Sequence, residues 1–155
     1  MKLQFNKLVA KRLFLIAVIV LISSCEPFKS SIPDSSVFVE RNLSLGEGFV
    51  LREIGGFLEL TKWEKQTDRL GYGGILIFHA FDDEIYAFDM ACPKEADQGV
   101  RVYVDTEVPG RAICHKCGSV FNIAYGSGVC IEGTAAEGLR SYRVMRSGTV
   151  ITVIR

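Results

Sequence analysis

From residue 37 to the end, the chain is a succession of short runs rich in Val, Ile, Phe and Tyr, broken by Gly and Asp. "SVFVERNLSL", "GFVLREI", "GFLELTKW", "GGILIFHAF", "EIYAFDM", "GVRVYVD", "RAICH", "SVFNIAY", "LRSYRVMR" and "TVITVIR" follow one another at close spacing. No run is long enough, or spaced at three and four residues, to make an amphipathic helix. β-Branched and aromatic side chains fit a pleated, half-buried surface. Asp82-Asp83 and Ser147-Gly148 sit between adjacent runs and read as hairpin turns. The chain is therefore expected to be all-β, a barrel or sandwich of short antiparallel strands. Only 60–70, "LTKWEKQTDRL", offers a helical turn. Trp63 and most of the ten phenylalanines are expected in the core.

The N-terminus has a different chemistry. Lys2, Lys7, Lys11 and Arg12 precede an apolar run from Leu13 to Ile22, and Ser23-Ser24-Cys25 closes it. A basic region, a short apolar stretch and small residues form a secretory leader. Ten apolar residues are too few to span a bilayer. Ile22-Ser-Ser-Cys25 resembles a bacterial lipobox, in which the cysteine thiol takes the lipid and becomes the mature N-terminus. The expected organisation is a leader over 1–24, a Pro- and Ser-rich tether over 25–36 and one β domain over 37–155. The expected location is the bacterial cell envelope, with acylated Cys25 holding the protein to a lipid bilayer. Without the leader, 14 basic residues face 18 acidic ones, a net charge of −4 with no basic patch. That balance argues against a nucleic-acid partner.

Four cysteines remain beyond the lipobox: Cys92, Cys114, Cys117 and Cys130. Cys114 and Cys117 form C-x-x-C, the spacing of a metal knuckle. Cys92 stands where a strand-like run meets Pro93, so two strand ends each deliver cysteine to a loop. The same four cysteines could instead form disulfides outside the cytoplasm.

"YAFDMACP" followed by "AICHKCGSVFNIAYGSGVCIEGTAAEGLRSYRV" resembles a Rieske iron–sulfur domain. That family carries C-x-H in a first loop and C-x-x-H-G-S-x-F in a second, then a G-P-A loop and an L-x-x-Y-x-V strand. Here "CPK", "CHKCGSVF", Gly133-Thr-Ala135 and Leu139-Arg-Ser-Tyr142-Arg-Val144 stand in that order. The resemblance implies a Rieske-like fold, a 2Fe-2S cluster and single-electron transfer to an unidentified redox or envelope partner, with no enzymatic activity.

The ligands depart from the family. A Rieske centre uses two cysteines and two histidines. Lys94 replaces the first histidine and Cys117 the second, and Thr134 replaces the proline of the covering loop. An ammonium has no lone pair for a metal. The ligand set considered is Cys92, Cys114, Cys117 and Cys130, with Glu95 as another fourth group. Such a set could hold 2Fe-2S at low potential or a structural zinc. Two further readings are a Cys114–Cys117 disulfide and a metal-free scaffold. His115, inside C-x-x-C, is expected to point away, and mid-strand His79 to be an ordinary structural histidine.

Overall fold

A computed structural model describes residues 30–155; the leader, Cys25 and the start of the tether lie outside the described residues. Its strands are β1 (Val37–Asn42), β2 (Phe57–Leu60), β3 (Arg69–Leu70), β4 (Ile75–His79), β5 (Ile85–Asp89), β6 (Val102–Val104), β7 (Arg111–Cys114), β8 (Val120–Asn122), β9 (Cys130–Glu132), β10 (Ser141–Ser147) and β11 (Val150–Ile154). Seven form one sheet in the order β2-β4-β5-β10-β11-β1-β3, and four form a second in the order β6-β7-β8-β9. Every pairing is antiparallel. The chain is all-β, with two loops that carry cysteine.

β4 organises both cores. Its residues alternate: Ile75 and Ile77 join Val39, Leu51, Ala87, Ile151 and Val153, whereas Leu76 and Phe78 join Phe88, Met90, Phe121 and Ile123. A strand buried on both faces must be apolar throughout, which is why "ILIF" shows no alternation in sequence. All seven strands of the large sheet supply residues to the first cluster, so that sheet wraps around it. The second cluster fills the space between the sheets.

Three expectations are corrected. The run over 48–54 is not a strand: Gly46–Arg52 winds as a 3-10 helix. Gly46 adopts φ +63°, which turns the chain, and Phe49 and Val50 are then exposed side by side rather than alternately. The helical turn considered over 60–70 does not form. Asp68 holds that loop instead: its Oδ2 accepts the N–H of Glu64 and of Lys65, each at 3.1 Å. Trp63, on the same loop, is 77% exposed rather than in the core.

Asp68 also meets Arg41 of β1 through two bonds, 3.0 Å to Oδ1 and 2.9 Å to Oδ2, and both side chains are buried. Burial alone would raise the Asp68 carboxyl. The Arg41 bond, with the N–H groups of Lys65 and Glu64, outweighs it and holds the carboxyl below the ordinary range. A depressed folded-state pKa contributes stability above the unfolded value of about 4, and that contribution is lost as pH falls through the folded value. Urea midpoints are expected to drop as pH falls from neutral through this range. Asp68→Asn should cost about 2 kcal/mol at neutral pH and flatten that drop. An equally steep acid limb in the variant would assign the drop elsewhere.

Candidate metal centre

The centre is built where the two sheets meet. β5 ends at Asp89, and the chain continues through Met90 and Ala91 to Cys92. Ala91 bridges to Arg101, the Met90 carbonyl accepts the Val102 N–H at 2.7 Å, and Val102 pairs with Cys114. β6 thus ties the first loop to the strand that delivers Cys114. Beyond Cys114 the chain reverses: Gly118 N–H bonds the Cys114 carbonyl at 2.8 Å, and Cys114 N–H bonds the Ser119 carbonyl at 2.9 Å. This turn swings Cys117 back over Cys114.

Asp89 anchors the first loop. It is fully buried, and each oxygen accepts two bonds: Gly73 N–H at 2.9 Å and Ala91 N–H at 2.8 Å on Oδ1, Tyr72 N–H at 2.8 Å and the Tyr142 hydroxyl at 2.6 Å on Oδ2. Burial, reinforced by this carboxylate, raises the Tyr142 phenol, so it remains a donor. Tyr142 is the tyrosine of the L-x-x-Y-x-V strand. Its role in this chain is to hold the carboxylate that orders the stretch before Cys92.

Three sulfurs converge. The Sγ atoms of Cys92, Cys114 and Cys117 all lie within 4.8 Å of one another, with Cys92 and Cys117 at 3.6 Å. A disulfide needs about 2.05 Å, and all three are free thiols. Cys92 and Cys114 are fully buried, and Cys117 is half-buried. Burial pushes the Cys92 thiol up to about 12, against the backbone N–H groups of Glu95 and Lys94. Burial also acts on Cys117, but bonds from the Ser119 hydroxyl and N–H, with Cys114 and Cys92, bring it below its ordinary value. A metal cation would take such a buried sulfur as the thiolate, with its proton released to solvent.

Ser119 was not singled out by the sequence. Its Oγ lies 3.2 Å from Cys117 Sγ and accepts the N–H of Thr134 at 3.1 Å and of Ala135 at 3.0 Å. With both lone pairs engaged, its proton is left for the sulfur, and the hydroxyl stabilises a Cys117 thiolate. The same bonds pin the covering loop. Gly133 lies so close that a Cβ there would meet Ser119 Cα at 2.5 Å, and its φ is +98°.

Cys130 is not brought into this group. It pairs with Phe121, which pairs with Ala112, so it stands two strands away from β7 and two residues along from Cys114. Strands about 4.8 Å apart with a rise of about 3.4 Å per residue separate the Cα atoms by about 12 Å. Its Sγ bonds the Glu132 carbonyl instead, at 3.2 Å. Glu95 forms an ion pair with Lys116 at 2.7 Å. The His115 ring stacks on Tyr103, centroids 6.2 Å apart, and leaves the sulfurs. Lys94 donates to the Thr134 hydroxyl, which ties the first loop to the covering loop. His79 is buried at the other end of β4, its Nε2 3.0 Å from Asp83.

No protein-family model matches the chain, and no curated protein matches it. Among solved structures it is similar to the ferredoxin of carbazole 1,9a-dioxygenase from Nocardioides aromaticivorans IC177. The two are 17% identical, with 77% of this chain and 98% of that chain covered and a TM-score of 0.48.

Proposed function

We propose that this chain is a lipid-anchored carrier of a thiolate-held metal centre on a Rieske-like domain, and that it moves single electrons in the bacterial envelope. The convergence of three free thiols from two loops carries this reading. A two-cysteine, two-histidine cluster does not fit, because Lys94 is an ammonium bonded to Thr134 and Cys117 occupies the second histidine position. A thiolate-rich iron–sulfur cluster fits for three ligands, Cys92, Cys114 and Cys117, with the fourth drawn from outside this group. Such a cluster supplies a reversible one-electron change, and thiolate ligation sets a low potential. The chain's own part is to exclude water around Cys92 and Cys114 and to stabilise Cys117 through Ser119.

A second reading is a single zinc ion. Zinc–thiolate bonds of about 2.3 Å place sulfurs about 3.8 Å apart around one tetrahedral ion. The 3.6 Å between Cys92 and Cys117 suits that edge. Purification without air, followed by a visible spectrum and metal analysis, separates the two. Charge-transfer bands that vanish in Cys92→Ser support the electron carrier. A colourless protein with one zinc supports the second reading. A colourless protein that takes up neither metal would sink both and leave a scaffold.

The anchor has its own test. Cys25→Ala removes the lipid acceptor, so uncleaved or mislocalised precursor is expected in fractionated cells. Unchanged membrane association with an unchanged N-terminus would refute the lipobox.

A further inference from the structure

The start of the described chain lies against the metal loops. The Ser31 hydroxyl donates to the carbonyl of Pro93, the residue after Cys92, at 2.6 Å, and Ser31 N–H donates to Glu137 at 2.9 Å. Ile32 is buried, and Arg140 bonds the carbonyls of Ile32 and Pro33 at 2.8 and 3.1 Å. Asp34 pairs with Arg140 and with Arg155. The last part of the tether is therefore fixed to the cysteine end of the domain. Ser31 follows Cys25 by six positions, and six steps of about 3.5 Å reach at most about 21 Å.

A cleft opens at that same end. It has a volume of about 230 Å³ and is lined by Trp63, Tyr72, Arg69, Arg101 and the Gly73-Gly74 backbone, with no carboxylate among its lining residues. Gly73 packs on Ala91, the neighbour of Cys92. Of the nearby acids, Glu95 is paired with Lys116 and Asp34 with its two arginines, while Asp97, beside Gln98, accepts the Gly99 N–H. Trp and Tyr prefer the interface between water and hydrocarbon, and arginine is drawn to anionic headgroups.

Resting on the anchor reading of Cys25, we propose that the cysteine end of the domain faces the bilayer, with the cleft of Trp63, Arg69 and Arg101 seated in the phospholipid headgroups. The competing face is an exposed apolar ridge, Leu45, Phe49, Val50 and Ile54. That ridge belongs to the opposite end, where Leu43, Leu51 and Arg52 gather around His79 and Asp83. β1 alone, six residues long, runs about 20 Å between the two ends. A tether of about 21 Å that starts at the cysteine end is used up along the flank of the domain before the ridge could touch lipid.

Trp63 is the single tryptophan of the chain, so it reports on this directly. The lipidated full chain would be placed on phosphatidylethanolamine–phosphatidylglycerol vesicles containing a headgroup-nitroxide lipid. Flotation with the vesicles is scored first; failure to float refutes the anchor reading and, with it, this orientation. For protein that floats, the nitroxide is expected to quench Trp63 at least twofold. In Trp63→Phe combined with Phe49→Trp, which moves the fluorophore to the ridge, little quenching is expected. Stronger quenching of the moved tryptophan would put the ridge on the membrane. Quenching of neither would mean that the domain stands clear of the surface. Either result overturns the orientation while leaving the anchor intact.

Discussion

Asp89→Ala is expected to leave the domain barely folded. Four donors converge on this one buried carboxylate, three of them backbone N–H groups that have no other acceptor within the loop. An orphaned buried donor costs about 1–3 kcal/mol, and water entering the small void recovers only part of that. A total loss of about 4 kcal/mol is a large share of the roughly 5–15 kcal/mol that stabilises a domain. Asp89→Asn is no rescue, because its amide turns two further hydrogens toward N–H and O–H groups that are themselves donors. Tyr142→Phe removes one of the four bonds and leaves the carboxylate three partners, so about 1–1.5 kcal/mol is expected. Urea unfolding followed by circular dichroism gives all three values. Asp89→Ala falling within about 1 kcal/mol of the parent would mean that another contact orders the stretch before Cys92.

What the sequence revealed and what it hid follow from how local each signal is. Strand positions were legible because β-branched and aromatic residues mark them one run at a time. "GFVLREI" misled because its residues have strand propensity, yet winding is decided by Gly46 and by which side chains find a core; Leu51 does and Phe49 does not. Trp63 misled for the same reason: a large apolar residue is buried only if its segment is, and Asp68 bonds that loop at the surface. Cys92, Cys114 and Cys117 were legible as candidates from C-x-x-C and from the strand ending at Pro93. Cys130 was not separable from them, because its distance is set by a β8–β9 pairing with a shifted register. Apart from Ala91 and Cys117, each two positions away, Asp89 and Ser119 act through bonds to residues 15 to 53 positions away, which no spacing rule displays. The Gly118-Ser119 pair after the second cysteine, and the acid between apolar residues in "AFDMA", were the only local signs of them.

Lys94→His combined with Cys117→His is expected to convert the site to two cysteines and two imidazoles. The frame for that change is already present. Cys92 and Cys114 are fully buried and close enough to share one iron, and the first and second loops are held by Asp89 and by the Cys114–Ser119 turn. Lys94 sits at the rim rather than in the core, so its replacement gives up a bond to Thr134 and no packed volume. Cys117 is half-buried beside Ser119, whose remaining proton would be free to donate to the reconstituted group once Cys117 is replaced. After iron and sulfide reconstitution, the folded double variant should show a Rieske-type spectrum. Its potential should rise from near the plant-type value of about −400 mV into the range of about −150 to +300 mV. That potential should also fall with rising pH, because oxidation makes the introduced imidazoles more acidic and couples proton loss to electron loss. A parent protein reconstituted in parallel should show neither the raised potential nor the pH dependence. A double variant that retains the parent's circular dichroism yet binds no iron would show that the two loops no longer converge as a Rieske centre requires, and the carrier reading would then rest on the three thiolates alone.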